Sequence, residues 1–328
     1  MAFDLTQKML SLRHLWAMSS LGQSDLRMVA EKLHERYFPA GHVLYRDGDP
    51  VNAMHFLLDG TIHLRKGDKT FGTVEAPGGV GIMTVLARSE SPYDTVAATD
   101  LLTLEIDAEV FLEILEDRFP VLHNTLRIST AMLSKSLSEL PASELGSKRA
   151  PDCPVIGDRP LDIVERLLFV RRIPLYRNTS TNALAEMAQL LVEERFADGT
   201  VLFRRGESAD RVFFVLRGAI RCTAEQGEFS FEAGSVVGGL EALAGVPRWY
   251  GAEASDSLVV LRGLTTDVID VYEDNPALAL DFLAMSSGRN LQFWLRKAQA
   301  TLERDEGPSR GVSLYAQYRP SVSAPPPR

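Results

Sequence analysis

Cysteine is nearly absent from this 328-residue chain, which has only Cys153 and Cys222. Two thiols cannot build a zinc quartet, and their positions suggest no disulfide framework, so a reducing compartment is expected. Basic charge is short as well: Lys and Arg number 35 against 44 Asp and Glu, a formal net charge of −9. Such a balance offers no general phosphate-neutralising face, which excludes DNA or an anionic membrane as a default partner. No apolar run approaches the length needed to cross a bilayer. The start, Met1-Ala-Phe-Asp4, lacks the basic-then-apolar pattern of a signal peptide. At 45% hydrophobic and 24% charged, ordinary globular material is expected, placed in the cytoplasm.

What the chain does have is an internal copy of itself. Residues 9–64 lie over residues 167–222 without a gap. Leu26 meets Leu184, Phe38 meets Phe196, Gly41 meets Gly199, Gly48 meets Gly206 and Gly60 meets Gly218. After one residue is lost near Gly67, Val74-Glu-Ala76 meets Phe231-Glu-Ala233 and Gly81 meets Gly238. A repeat this long marks a duplicated folding unit, each copy large enough for its own core.

Each copy opens on a helix, because Leu26, Val29, Ala30 and Leu33 share one helical face and Leu184, Met187, Ala188 and Leu191 repeat it. The period then drops to two at Met54, Phe56 and Leu58, and again at Val212, Phe214 and Leu216, which predicts strands. Asp59-Gly60 and Arg217-Gly218 read as tight hairpin turns. Short strands broken by glycine turns predict a small antiparallel roll. Helices are expected over Glu109–Asp117 and Thr266–Asp274, and again after Pro120 and Pro276, proline being suited to a first turn. The fold class expected is mainly β with flanking helices: two tandem β-roll domains of jelly-roll type. Their boundaries are 1–140 and 161–305, with a Pro- and Gly-bearing linker at 141–160 and a disordered tail at 306–328.

With its opening Phe38-Pro-Ala-Gly-His-Val-Leu44 and a glycine-led stretch in each copy, this pattern resembles the cyclic nucleotide-binding domain superfamily. That superfamily includes the sensor modules of the catabolite activator protein and of protein kinase A regulatory subunits. The resemblance implies a cassette reading Phe-Gly-Glu-[Leu/Ile]-Ala-Leu, then Pro-Arg-x-Ala-[Thr/Ser]. In the family, backbone N–H groups and the arginine receive the cyclic phosphate, and the glutamate accepts the ribose 2′-hydroxyl. The second copy reads Val237-Gly-Gly-Leu-Glu-Ala-Leu-Ala-Gly-Val-Pro-Arg248-Trp-Tyr-Gly251. Pro247 and Arg248 match the family positions, but Gly239 stands in place of the glutamate and Gly251 in place of Thr or Ser. Glu241, two residues on, is expected on the wrong helical face. In the first copy Ile82 takes the glutamate position and Ser91 the arginine position, with Arg88 on no matching position. The ligand-binding candidates are therefore Gly238, Gly239, Leu240, Glu241, Pro247 and Arg248, for a cyclic nucleotide or related small anion. No cofactor or metal is expected.

Other readings are weaker. Trp249 and Tyr250 fit core packing better than base stacking. Gly78, Gly79 and Gly81 lack the third glycine and the strand–helix setting of a dinucleotide fingerprint. His42, His55 and His63 form no His-x-His pair of a cupin metal site, and no hydrolase motif is present. The stretch after the last expected helix is too short for a helix-turn-helix domain, so a transcription factor is not expected. The expectation is a non-enzymatic regulatory sensor; the alternative is a ligand-free interaction or scaffold protein on the same folds. A third assigns dimerisation to the first copy and sensing to the second. A protein partner or homodimer contact is expected through the C-terminal helix, where Leu291, Trp294, Leu295, Ala298 and Leu302 form an apolar stripe.

Overall fold

The structure, a computed structural model, describes residues 3–14, 18, 21–150, 153 and 157–303. The expected disordered tail at 306–328 lies outside the described residues. The chain forms two compact units: Met1–Asn124 with the chain from Ser287 onward, and Thr125–Ser286.

Unit 1 begins with α1 (Leu5–His14) and α2 (Gln23–Glu31). The predicted stripe of Leu26, Val29, Ala30 and Leu33 is fully buried, which is why this helix docks on the roll. Eight strands follow: β1 (His34–Phe38), β2 (Val43–Tyr45), β3 (Ala53–Asp59), β4 (Thr61–Lys66), β5 (Lys69–Glu75), β6 (Gly78–Val80), then β7 (Asp94–Ala97) and β8 (Leu101–Asp107) after the short helix α3 (Ile82–Leu86). They form two antiparallel four-stranded sheets, ordered β1-β8-β3-β6 and β2-β7-β4-β5, the two halves of a jelly roll. Helices α4 (Ala108–Asp117) and α5 (Phe119–Ser138) come next. The Asp107 carboxylate caps α4 by accepting from the backbone N–H groups of Glu109 and Val110.

Unit 2 repeats the plan with α6 (Ile163–Arg172), α7 (Thr181–Leu190), β9 (Val192–Phe196), β10 (Val201–Phe203), β11 (Arg211–Ala224), β12 (Gly227–Glu232), β13 (Val236–Val237), α8 (Gly239–Ala244), β14 (Gly251–Leu264), α9 (Thr265–Asp274) and the first part of α10 (Pro276–Glu303), whose residues from Ser287 belong to unit 1. The 14-residue strands β11 and β14 each run through the positions where unit 1 has two strands. Phe213, Val215, Ile220 and Cys222 of β11 point into the roll against Phe229, Tyr250 and Leu258. On the other face Phe214 meets the ring of Tyr176.

The glycine turns need a correction. Asp59-Gly60 is not a hairpin, because β3 pairs with β8 and β6 whereas β4 pairs with β5 and β7. Gly60 is a corner that carries the chain from one sheet to the other. Gly218 sits inside β11 at a register shift, with φ of 76°, and a Cβ there would lie 2.7 Å from the Ser255 carbonyl oxygen. Only glycine fits such a bulge.

Ser147, in the stretch expected as a linker, pairs with a strand. The Ser147 N–H donates to the Ser230 carbonyl at 2.9 Å and the Glu232 N–H to the Ser147 carbonyl at 3.0 Å, so it lies along β12. Among the described residues no helix is long and apolar enough to cross a membrane.

Candidate anion-binding site

In unit 2 the cassette begins at Gly238, whose φ of 81° is left-handed and turns the chain from β13 into α8. Gly239 is the first helical residue, Leu240 is half-buried, and Pro247 is exposed on the loop that follows. Arg248 then turns back under the helix and is only 2% exposed. Its Nη1 donates to the Gly238 carbonyl and its Nη2 to the Arg211 carbonyl, each at 2.5 Å. The guanidinium carbon lies 4.3 Å from the centre of the Phe203 ring. Burial lowers the Arg248 pKa, against the opposing pull of Tyr250, Glu241 and Asp210. Its Nε has no hydrogen-bond partner, so part of the fork remains unmatched by the protein.

Glu241 departs from its expected place. It is 3% exposed, and one carboxylate oxygen lies 3.7 Å from Arg248 Nη1. The other accepts from Ser134 Oγ at 2.8 Å and from Trp249 Nε1 at 2.9 Å. The wrong-face expectation is therefore corrected: the left-handed glycine reorients the first turn of this short helix, and residue 241 points inward. Ser134 on α5 is the partner that sequence reasoning missed. A serine between Leu133 and Leu137 carries no pattern that announces a buried carboxylate.

Trp249 and Tyr250 do pack. The Tyr250 ring lies 5.4 Å from Phe203 and 5.7 Å from Phe229, and Trp249 stacks on Phe229 at 5.9 Å. Neither offers an open platform for a base.

Unit 1 keeps the scaffold and loses the cation. Gly81 has φ of 85° and caps α3 as Gly238 caps α8. Ser91 is buried and donates its hydroxyl to the Tyr93 carbonyl at 2.7 Å. Ile82 is half-buried, and Arg88 is exposed with φ of 51°. Among the strand histidines, His55 is buried rather than superficial. It lies 3.3 Å from the Thr103 hydroxyl, and burial lowers its pKa to about 4. Among the described residues no group of three or more His, Cys, Asp or Glu side chains could hold a metal. A cleft of about 550 Å³ opens at the Gly60 corner, but Asp59, Glu75 and Asp100 line it, a poor setting for an anion.

The family model for the cyclic nucleotide-binding domain matches residues 35–118 and again 193–275. A cGMP-dependent protein kinase of Drosophila melanogaster is 16% identical over 209 residues, covering 64% of this chain and 16% of the kinase. A cyclic nucleotide-gated potassium channel of Rhizobium etli is 26% identical over 121 residues, covering 37% of this chain and 34% of the channel. The chain thus spans only a minor part of the curated relatives it matches. Among solved structures, the regulatory domain of Toxoplasma gondii protein kinase A with cAMP is 17% identical at a TM-score of 0.34, covering 88% of this chain and 99% of that one. A regulatory subunit of a cAMP-independent protein kinase A from Trypanosoma cruzi, bound to guanosine, is 14% identical at a TM-score of 0.34, covering 94% and 96%. With two family matches in tandem over half its length, the chain belongs to the cyclic nucleotide-binding domain family.

Proposed function

We propose that the chain is a non-enzymatic regulatory module whose second roll senses a small anion, nucleotide-like in character, at Arg248. The observation that carries this reading is the guanidinium held at Gly238, the cap of the cassette helix, with its Nε unpaired. An arriving phosphate competes with two carbonyls for the fork, and the charge-assisted pairing is the stronger bond. Because Glu241 touches both Arg248 and Ser134, occupancy reaches α5 through that carboxylate. In this reading the inherited modules remain 1–140 and 161–305, and the setting is a reducing cytoplasm, supported by Cys153 and Cys222, both buried and in no disulfide. A protein partner reads the output through the exposed edge of α10. Leu291 and Trp294 are already buried, so that contact falls to half-buried Leu295 and Ala298; the Leu302 side chain lies outside the described residues.

Two observations favour the alternative of a ligand-free scaffold: Arg248 is already paired with two carbonyls, and Gly239 has no side chain for a ribose hydroxyl. A thermal-shift screen of cyclic mono- and dinucleotides separates the two, since a ligand of the folded state raises the melting temperature. Saturable binding that disappears in Arg248→Ala supports sensing. Absence of any shift, or a shift unchanged in that variant, supports the scaffold.

A further inference from the structure

The two rolls can be compared position by position around their cassettes. Tyr45 ends β2 where Phe203 ends β10, Tyr93 stands where Tyr250 stands, and Phe71, at the register shift of β5, lies 5.6 Å from Tyr93 as Phe229 of β12 lies 5.7 Å from Tyr250. In unit 2 a fourth ring completes the cluster: Trp249, 5.9 Å from Phe229 and 4.8 Å from Tyr250. The residue in the place of Trp249 in unit 1 is Pro92, which has no aromatic ring. The missing ring arrives from α10. Trp294 packs 5.4 Å from Phe71 and 5.1 Å from Tyr93, and is 5% exposed.

The polar seat is filled by a second exchange. In unit 2, Arg248 donates to the carbonyl of Arg211, the first residue of β11. In unit 1 the Tyr45 hydroxyl donates at 2.8 Å to the carbonyl of Ala53, the first residue of β3. A Cβ built on Gly81 would lie 2.8 Å from that hydroxyl, just as one on Gly238 would run into the Arg248 guanidinium. Burial raises the Tyr45 pKa well above its ordinary value, so the group that fills the seat is neutral.

We infer that the first roll is a receptor for the chain's own terminal helix, with Trp294 as the anchor in the ring site left by Pro92 and Tyr45 closing the anion seat. The inference stands whether or not unit 2 binds an anion. The dock is built to release. Trp249 donates its indole N–H to Glu241, whereas the buried Trp294 N–H has no partner, so docking leaves a polar group unpaired that water would satisfy.

The test uses the whole chain carrying Trp294→Ala and a labelled synthetic peptide of residues 287–303. The peptide should bind the variant saturably, bind the wild type at least roughly tenfold more weakly because its roll is occupied, and fail when its own Trp294→Ala change is made. Where Trp294→Ala does not fold, Trp294→Phe with hydrogen exchange reads the same contact. Faster exchange confined to Lys69–Glu75, Asp94–Ala97 and α10 from Ser287 supports the receptor. A peptide that binds neither chain, binds both equally, or binds without its tryptophan overturns it. So does exchange unchanged in those segments.

Discussion

Ser91 and Arg248 occupy the same backbone position in the two rolls. The N–H of Ser91 donates to the Asp49 carbonyl at 2.8 Å and its carbonyl accepts from Gly48 at 2.7 Å; Arg248 makes the same pair with Glu207 and Gly206 at 2.9 and 2.8 Å. The loop that presents the side chain is therefore conserved between the copies while the chemistry it presents is not. Backbone pairing is what the fold requires, and a side chain at that point is free to change without cost to the ladder. At this position the two copies differ in charge and not in backbone pairing.

Arg248 also holds its own roll together, which makes a prediction independent of any ligand. Removing it takes the guanidinium donor away from the Gly238 and Arg211 carbonyls. Arg248→Ala should lose about 1–3 kcal/mol of stability in urea unfolding with no nucleotide present. Arg248→Lys should recover only part, since an ammonium cannot bridge both carbonyls as the planar fork does. Unchanged stability in Arg248→Ala would mean that the guanidinium is turned out to solvent in the unliganded protein.

Gly239 is the position to rebuild. Its backbone is helical, and a Cβ there lies 3.4 Å from a Val212 methyl, at the edge of ordinary contact. Gly239→Glu should therefore fold, and helix propensity should offset by up to about 1 kcal/mol any crowding of Val212. If the second roll takes a ribonucleotide, the new carboxylate should improve affinity by about tenfold, measured by calorimetry. A variant that binds no better while Arg248→Ala still abolishes binding shows that the ribose does not lie over residue 239.

The repeat announced the architecture because apolar spacing and glycine positions are local signals. Gly81 and Gly238 take the same positive φ, and the stripes of α2 and α7 are buried as their spacing required. What escaped was long-range. Ser134 lies far along the chain from Glu241, and Trp294 farther still from Tyr93, so no window of sequence contains either contact. The Asp59-Gly60 signal misled for a different reason. A hairpin and a corner between sheets both need a positive φ, and the dipeptide cannot say which strands pair on either side. Full helical periodicity does not fix the face of Glu241, because its helix has only six residues and starts from a left-handed cap.

The Ser134–Glu241 hydrogen bond should act as a coupling between α5 and the cassette. Ser134→Ala should cost about 1 kcal/mol, since Trp249 still satisfies the carboxylate. Glu241→Ala should cost more, about 2–4 kcal/mol, because it strands the Ser134 hydroxyl and the Trp249 indole at once. A double-mutant cycle between the two sites should give an interaction energy of about 1 kcal/mol. Simple additivity would remove the proposed route from Arg248 to α5.

His55 makes unit 1 acid-sensitive in a predictable direction. Burial is the main cause that lowers its pKa from 6.5 to about 4, with Arg36 and His42 adding repulsion. The folded state thus prefers the neutral ring, and below pH 6.5 the unfolded chain binds the extra proton first. The stability contributed by the neutral ring is complete above about pH 6.5 and drains away as pH falls toward 4, by at most roughly 3 kcal/mol. The Glu105 carboxylate, 3.8 Å from the ring, would recover part of that loss once the ring is charged. Urea unfolding of wild type and His55→Phe between pH 7 and pH 4 checks the sign. The wild type should lose stability more steeply than the variant across pH 6.5 to 4. Parallel slopes would mean that the imidazole is already charged, or already solvated, in the folded roll.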